Sequence, residues 1–303
     1  MNKTTVIYHR ADYDGLFSAA VCKKFLPDAE FIGWDFGDPL IPFPAEGSVY
    51  IVDLPPECVG ETAIGIGHLA SRIIWIDHHK SSIQKWDELG VVLPGYRIDG
   101  VAACRLCWQW FASLDPEICF ASPGDLPLKD HYVHRDVKEP LALTLAGEYD
   151  VWDKRDERAD AFQFGMWASG VAEGGCLALL DNEKEVLEFC EEGFAMMRWQ
   201  RQFAASTCRE RAYIREWEGR TFCVLASCHA RNSMWFPQEA IPKECDALMC
   251  WRYDGNRVSF SLYHAPGHEE HDLSPIAVKY GGGGHRGACG FSMSLEGALE
   301  VIR

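Results

Sequence analysis

Four groups of polar residues in this chain are of types that bind metals or move protons. They are His9-Arg10-Ala11-Asp12-Tyr13-Asp14-Gly15, then Asp53, then Asp77-His78-His79, and then Asp150 within Glu-Tyr-Asp-Val-Trp-Asp. A histidine followed by two alternating aspartates places three ligands near a metal pair, because the turn ahead of Gly15 lets Asp12 and Asp14 face different ions. Imidazole mixed with carboxylate suits Mn2+ best; Fe2+, Co2+ and Zn2+ are compatible, and the more oxygen-seeking Mg2+ fits less well. Taken singly, each group has a plainer reading. An aspartate after a strand is as often a helix cap as a ligand, a lone histidine is commonly a satisfied polar residue, and Asp77 alone could merely orient His78. Their joint appearance at successive strand ends is what turns the reading toward function.

Those positions demand elements that deliver them to one place. Thr4 to His9 is a short apolar run, and Gly15 to Leu26 follows with helical spacing of Leu16, Ala19, Ala20, Cys22 and Phe25. Glu30 to Phe36, Ser48 to Leu54 and Arg72 to Ile76 repeat the β-rich pattern, with helical segments at Ser82 to Leu89 and Val101 to Leu114. Alternation of this kind predicts an α/β fold, a parallel sheet with crossover helices. Binding groups in such sheets collect beyond the carboxyl ends of the strands, where His9, Asp53 and Asp77-His78-His79 all fall. From Leu126 to Gly219 the pattern is mainly helical, and Asn182 to Glu218 reads as one long helix between two domains. Thr221 to Ala226, Ala247 to Tyr253 and Arg257 to Tyr263 read as strands, the last two joined in a hairpin by Asp254-Gly255-Asn256.

Composition narrows the function classes. With 303 residues the chain is long enough for two compact domains or one large one, and 48% hydrophobic content gives ample material for buried cores. No stretch reaches the roughly 20 apolar residues that span a bilayer, and the opening Met-Asn-Lys-Thr-Thr-Val-Ile leads into a strand rather than a signal peptide, so no membrane partner and a cytoplasmic location are expected. The 13 cysteines are odd in number and lie mostly in apolar runs, which favours reduced core thiols. Cys104 and Cys107 have redox or zinc spacing, but Val-Ala-Ala-Cys-Arg-Leu-Cys-Trp-Gln-Trp-Phe reads as an amphipathic helix, so core packing is preferred. A net charge of −16 argues against a long nucleic-acid track, since a polyanion needs many Lys and Arg contacts. A phosphorylated ligand would take its positive field locally, from bound divalent cations.

On these residues the sequence resembles the DHH phosphoesterase superfamily, named for the triplet present here as Asp77-His78-His79. His9-x-x-Asp12-x-Asp14-Gly15 is similar to the first motif, Val52-Asp53 to the second, Ile76-Asp77-His78-His79 to the third and Asp150-Val-Trp to the fourth. Near the carboxyl end, Gly281-Gly282-Gly283-Gly284-His285-Arg286-Gly287-Ala288-Cys289-Gly290-Phe291 is similar to the glycine-rich signature of the companion DHHA1 substrate domain. The resemblance implies an N-terminal parallel-sheet DHH catalytic domain over residues 1–180, a helical linker over 181–218, and a smaller C-terminal α/β DHHA1 domain over 219–303. It also implies that His9 and Asp12 hold one Mn2+, that Asp14, His78 and Asp150 hold a second, and that Asp53 bridges them. His79 would face the substrate phosphate, with Asp77 fixing the tautomer of a histidine. Asp153 competes with Asp150 for the fourth motif, but the Asp-x-Trp pattern favours Asp150.

The expected activity is hydrolysis of a phosphodiester or phosphomonoester bond by metal-activated water, without a protein nucleophile. Expected substrates are short RNA or DNA oligonucleotides, linear or cyclic dinucleotides, or a 3′-phosphorylated nucleotide. Gly283, Gly284, His285 and Arg286 are the expected phosphate-binding set, through close backbone approach and side-chain donors. The chain departs from the DHHA1 pattern where an arginine often precedes the glycine loop: it reads Phe260-Ser261-Leu262-Tyr263-His264, so Tyr263, His264 or His268 takes that role. A third metal at His264, His268 and His271 is weighed against a solvated Pro-Gly loop, and the loop is preferred. Arg231, Asn232 and Trp235 either line the cleft or cap and pack. Two rivals stand beside the main reading, an inorganic pyrophosphate or polyphosphate hydrolase and a nucleotide-binding sensor without catalysis. A homodimer is compatible with all three.

Overall fold

A computed structural model describes residues 3–113, 138–153, 155–227 and 232–302. Arg231 and the expected helical stretch from Leu126 to residue 137 lie outside the described residues. The chain divides into two units, Met1–Met196 and Met197–Arg303.

The first unit is built on four strands, β1 (Thr4–His9), β2 (Glu30–Trp34), β3 (Ser48–Val52) and β4 (Ile73–Ile76), in the order β2-β1-β3-β4. All three pairings are parallel, with Ile7 opposite Ile32 and Ile51, and Ile51 opposite Trp75. The α/β parallel sheet expected from the sequence is therefore the observed one. Val6 and Ile7, consecutive and so pointing to opposite faces, are both fully buried, which is the signature of a parallel sheet covered on two sides. One face packs Ile7, Val49, Ile51, Ile73 and Trp75 against Trp86 and Leu93. Helices α1 (Tyr13–Phe25), α2 (Ala63–His68), α3 (Lys80–Glu88) and α4 (Ala103–Ser113) follow or separate the strands. After residue 137 come α5 (Leu141–Asp150), α6 (Arg158–Ser169), α7 (Glu173–Leu179) and the long α8 (Glu183–Arg211).

The second unit carries a six-stranded sheet in the order β5-β6-β7-β8-β10-β9. Its strands are β5 (Tyr213–Trp217), β6 (Arg220–Ala226), β7 (Ala247–Tyr253), β8 (Arg257–His264), β9 (Gly283–His285) and β10 (Ala288–Ser294). Only β6 and β7 are parallel; β7 and β8 form the expected antiparallel hairpin. Two helices, α9 (Ser274–Lys279) and α10 (Leu295–Ile302), complete it. Phe222, Met249, Phe260, Leu262 and Phe291 form its core.

Several elements differ from the sequence reading, among them the second strand, which ends at Trp34 rather than Phe36. The helix expected to run to Glu218 ends at Arg211, and Tyr213–Trp217 is instead a strand paired with Arg220–Val224. The run Tyr-Ile-Arg-Glu-Trp alternates in burial as a half-exposed strand does, and sheet pairing outweighs the preceding helical pattern. The third strand stops at Val52, because Asp53 takes the left-handed conformation (φ 57°). The glycine run, read as an open loop, puts Gly283–His285 into a short edge strand against Ala288–Gly290. Gly284 has φ 129°, and a side chain there would meet the Cα of Cys289 at 2.6 Å, so the close pairing itself requires glycine.

Candidate metal centre

His9 is the last residue of β1, Asp53 follows β3 directly, and Asp77-His78-His79 follows β4. Because β1, β3 and β4 are neighbours and parallel, these strand ends share one rim of the sheet. Asp12 is the N-cap of α1, its Oδ1 accepting the Gly15 N–H at 2.9 Å. That first turn lies against the end of β1: a Cβ at Gly15 would sit 1.9 Å from the His9 carbonyl oxygen. Glycine at this position is what lets His9, Asp12 and Asp14 occupy one corner. Asp14 enters the interior, where its two oxygens accept the N–H groups of Ala103 and Cys104, both at 2.8 Å, at the start of α4. Asp150 is the last residue of α5.

These residues form two groups with Asp53 between their histidines. His9, Asp12 and Asp53 lie within one ligand sphere, and Asp14, His78 and Asp150 within another. His9 Nδ1 stands 2.9 Å from Asp12 Oδ2 and 3.4 Å from Asp53 Oδ2. His78 Nε2 is 3.5 Å from Asp14 Oδ2, 3.4 Å from Asp53 Oδ1 and 3.3 Å from Asp150 Oδ2. Each Asp53 oxygen thus faces a different imidazole. Asp153, the competing choice for the fourth position, instead pairs with Arg155 at 2.6 Å. Asp53, His78 and His79 also lie within reach of one another, but His79 Nδ1 is held by Asp77 Oδ1 at 2.7 Å. The same Asp77 oxygen accepts the backbone N–H groups of His78 and His79. Asp77, fully buried, therefore sets the His79 ring with Nδ1 protonated and Nε2 carrying the free lone pair.

The electrostatics are those of a site built for positive charge. Burial alone depresses the His9 imidazole, but Asp12 and Asp53 together raise it to about 11. His78 is likewise depressed by burial and carried up to about 10 by Asp53, Asp14 and Asp150. Burial and the nearby carboxylates push Asp14 well above the ordinary range. Asp150 rises to about 7, burial and Asp53 outweighing the opposing pull of His78. Asp53, despite burial, is held below the usual carboxylate range by His78 and His9.

The donor set fits a pair of divalent cations. Both oxygens of Asp53 are buried with no hydrogen-bond partner. Orphaned buried groups of this kind are costly, and ions between the two groups would satisfy them together. The left-handed backbone at Asp53 points the same way, since such strain costs about 1–3 kcal/mol and gathers at functional sites.

Sequence reasoning missed Asp35. It follows β2 directly and places Oδ1 3.3 Å from His9 Nε2, the ring nitrogen turned away from Asp12. The strand-end rule that pointed to Asp53 applies equally here, but the expected strand through Phe36 concealed it.

The other sequence candidates lie in the second unit. Gly283, Gly284, His285 and Arg286 are exposed. Arg286 donates to the carbonyls of Glu270 and, at 3.4 Å, His271. His264 Nε2 donates to the His271 carbonyl at 2.6 Å, and Tyr263 is partly buried on β8. Among the described residues, His268, Glu270 and His271 could together hold an ion, with Glu270 rather than His264 as third member. However, Arg220 donates to His271 Nδ1 at 2.8 Å, which leaves Nε2 protonated and unfit as a ligand. Asn232 Oδ1 accepts the Met234 N–H, and Trp235 packs edge-on against Phe203, so both serve capping and packing. Cys104 and Cys107 are fully buried on α4. The described cysteines are all buried and free of disulfides.

No protein-family model and no curated protein matches the sequence. Solved structures do match. A DHH-domain structure described as a member of the s1p family of ribosomal proteins aligns at TM-score 0.54 with 13% identity, over 99% of this chain and 84% of that one. The pGpG-specific phosphodiesterase PggH from Vibrio cholerae aligns at TM-score 0.48 with 16% identity, over 99% and 96%. RecJ from Thermus thermophilus in complex with Mn2+ aligns at TM-score 0.49 with 14% identity, over 99% of this chain and 50% of that one. The chain has the DHH-domain fold, and the resemblance read from its motifs is met at the level of the fold. No helix among the described residues is long and apolar enough to cross a membrane.

Proposed function

We propose that the first unit is a two-metal phosphoesterase that hydrolyses phosphodiester or phosphomonoester bonds in short oligonucleotides or small nucleotides. One observation carries this reading: between the two ligand groups lies a buried aspartate, Asp53, whose oxygens have no hydrogen-bond partner and stand 3.4 Å from His9 on one side and 3.4 Å from His78 on the other. His9, Asp12 and Asp53 would hold one divalent cation, and Asp14, His78, Asp150 and Asp53 the other. Mn2+ suits the mixed nitrogen and oxygen set. Bound there, the ions supply Lewis acidity, a lowered pKa for attacking water and charge neutralisation around phosphorus.

The chain's own residues do the rest. Asp14 is clamped by two backbone amides, so its carboxylate keeps its place without a cation and presents an ordered half-site. Asp77 holds the His79 ring, leaving Nε2 to take a proton or, once protonated, to donate to a phosphate oxygen or to the leaving oxygen. Asp35 holds the far side of the His9 ring. Water adds to phosphorus, the phosphorus–oxygen ester bond breaks, and the proton passes to the departing oxygen. The second unit, with its exposed glycine strand and Arg286, would supply DHHA1-type phosphate contacts. Net charge of −16 favours short ligands, for which few phosphate contacts suffice.

The test is one assay with added Mn2+ across a ribodinucleotide, longer oligomers, cyclic dinucleotides, a nucleoside 3′,5′-bisphosphate and pyrophosphate. Turnover of the short nucleotides is expected to exceed that of long strands and of pyrophosphate. Turnover of pyrophosphate alone, or of none of these with tight nucleotide binding, would overturn the reading in favour of a pyrophosphatase or a sensor.

A further inference from the structure

Phe36 is an aromatic ring placed beside the candidate metal centre and left 63% exposed. Its centroid lies 5.9 Å from that of His9, at an interplanar angle of 73°. The ring is held by construction. Trp34, almost fully buried, meets it edge-on at 5.4 Å and is itself fixed by a bond from Nε1 to the Pro39 carbonyl.

The turn that carries Phe36 is closed on both sides. The Asp38 N–H donates to the Asp35 carbonyl, and the Asp35 N–H donates to Asp38 Oδ2 at 3.0 Å. Arg10, next to His9, grips both oxygens of Asp38 at 2.9 and 2.8 Å. The Phe36 N–H donates at 2.7 Å to Asp35 Oδ1, the atom that also faces His9 Nε2. One carboxylate therefore ties the position of the His9 ring to that of the Phe36 ring. This turn has no role in the sheet core, and it orders an apolar surface next to the cluster of His9, Asp12 and Asp53.

Resting on the phosphoesterase reading, we propose that Phe36 is a stacking platform for the nucleobase adjoining the phosphate that is cleaved. Every base has an apolar face, and an aromatic ring fixed one sugar away from a phosphate site takes it without choosing a sequence. The platform makes this site selective for nucleotides over base-free phosphates such as pyrophosphate. Asp35 acts as its positioning residue.

The experiment compares the intact protein with Phe36→Ala and Phe36→Trp. Each is assayed in Mn2+ on an adenine ribodinucleotide and on two analogues in which one or the other adenosine is replaced by an abasic tetrahydrofuran residue. The same ligands are measured for equilibrium binding in Ca2+. Base stacking by an aromatic side chain predicts that Phe36→Ala raises KM and Kd for the dinucleotide roughly tenfold. The same substitution leaves the analogue lacking the stacked base unchanged, and Phe36→Trp retains tight binding. Equal effects of Phe36→Ala on all ligands, or none, would overturn the platform. The two readings separate cleanly: Phe36-dependent binding without any hydrolysis sinks the phosphoesterase and keeps the platform, whereas hydrolysis indifferent to Phe36 does the reverse.

Discussion

The strand-end cluster of the first unit and the glycine strand of the second both carry polar groups, under opposite conditions. In the cluster, Asp14, Asp53 and Asp77 are at most 3% exposed, and both Asp53 oxygens and Asp77 Oδ2 have no hydrogen-bond partner. Around Gly283–Arg286 every residue is open to water, and the Arg286 guanidinium is already engaged by two backbone carbonyls. A buried unsatisfied carboxylate is expensive and implies something that binds it, whereas an exposed donor is satisfied by water and implies little by itself. Burial combined with unmet bonding is the better sign of a site, and residue type alone is the weaker one.

The contrast is most directly broken at Asp53. Asp53→Asn removes the charge shared by both groups, and turnover should vanish on every substrate in the panel while the fold, read by circular dichroism, persists; retained turnover would show that the shared carboxylate is not needed. Gly15→Ala comes next. Its methyl group would overlap the His9 carbonyl, and overpacking of this kind costs about 1–3 kcal/mol or more. Urea unfolding should show that loss together with weakened activity, whereas the same change at Gly283, which has nothing within 4 Å, should leave the unfolding midpoint nearly unchanged.

Removing metal sharpens the comparison through pH. Imidazoles raised from 6.5 to about 11 at His9 and about 10 at His78 bind protons more tightly folded than unfolded, so they add stability that is full below pH 6.5 and is lost as pH rises toward those values. Asp150, raised from 3.8 to about 7, acts with the same sign over a lower window. The Tm of chelated protein should therefore fall between pH 7 and 9, and added Mn2+ should flatten that fall by taking the place of the protons. A Tm that is independent of pH in chelator would contradict the charge arrangement. The smallest effect is expected at Arg286. Its replacement by alanine should raise KM severalfold with kcat little changed, as loss of a uniform binding contact does; an unchanged KM would remove it from substrate recognition.

Much of this is legible in the sequence alone. The alternation of apolar runs and helical spacing declared a parallel α/β sheet, and the rule that ligands gather at strand ends picked out His9, Asp53 and His78. Asp35 was not legible, because Trp-Asp-Phe reads as continuous strand until the turn to Asp38 is seen to close. Tyr213–Trp217 was misread as helix, since its β character comes from pairing with residues 220–224 rather than from its own neighbours.

By itself the sequence determined which chemistry was present: imidazoles and carboxylates at the ends of β-rich runs, and a glycine where a helix must start against a strand. Only the tertiary structure decided which of them face one another. It set Asp53 between His9 and His78, anchored Asp14 to the start of α4, brought Asp150 rather than Asp153 to His78, and hung Phe36 beside His9. The reason is that these contacts join segments as distant as residues 14 and 150, and their meeting depends on the strand order β2-β1-β3-β4, a property of the folded sheet that local residue preferences do not contain.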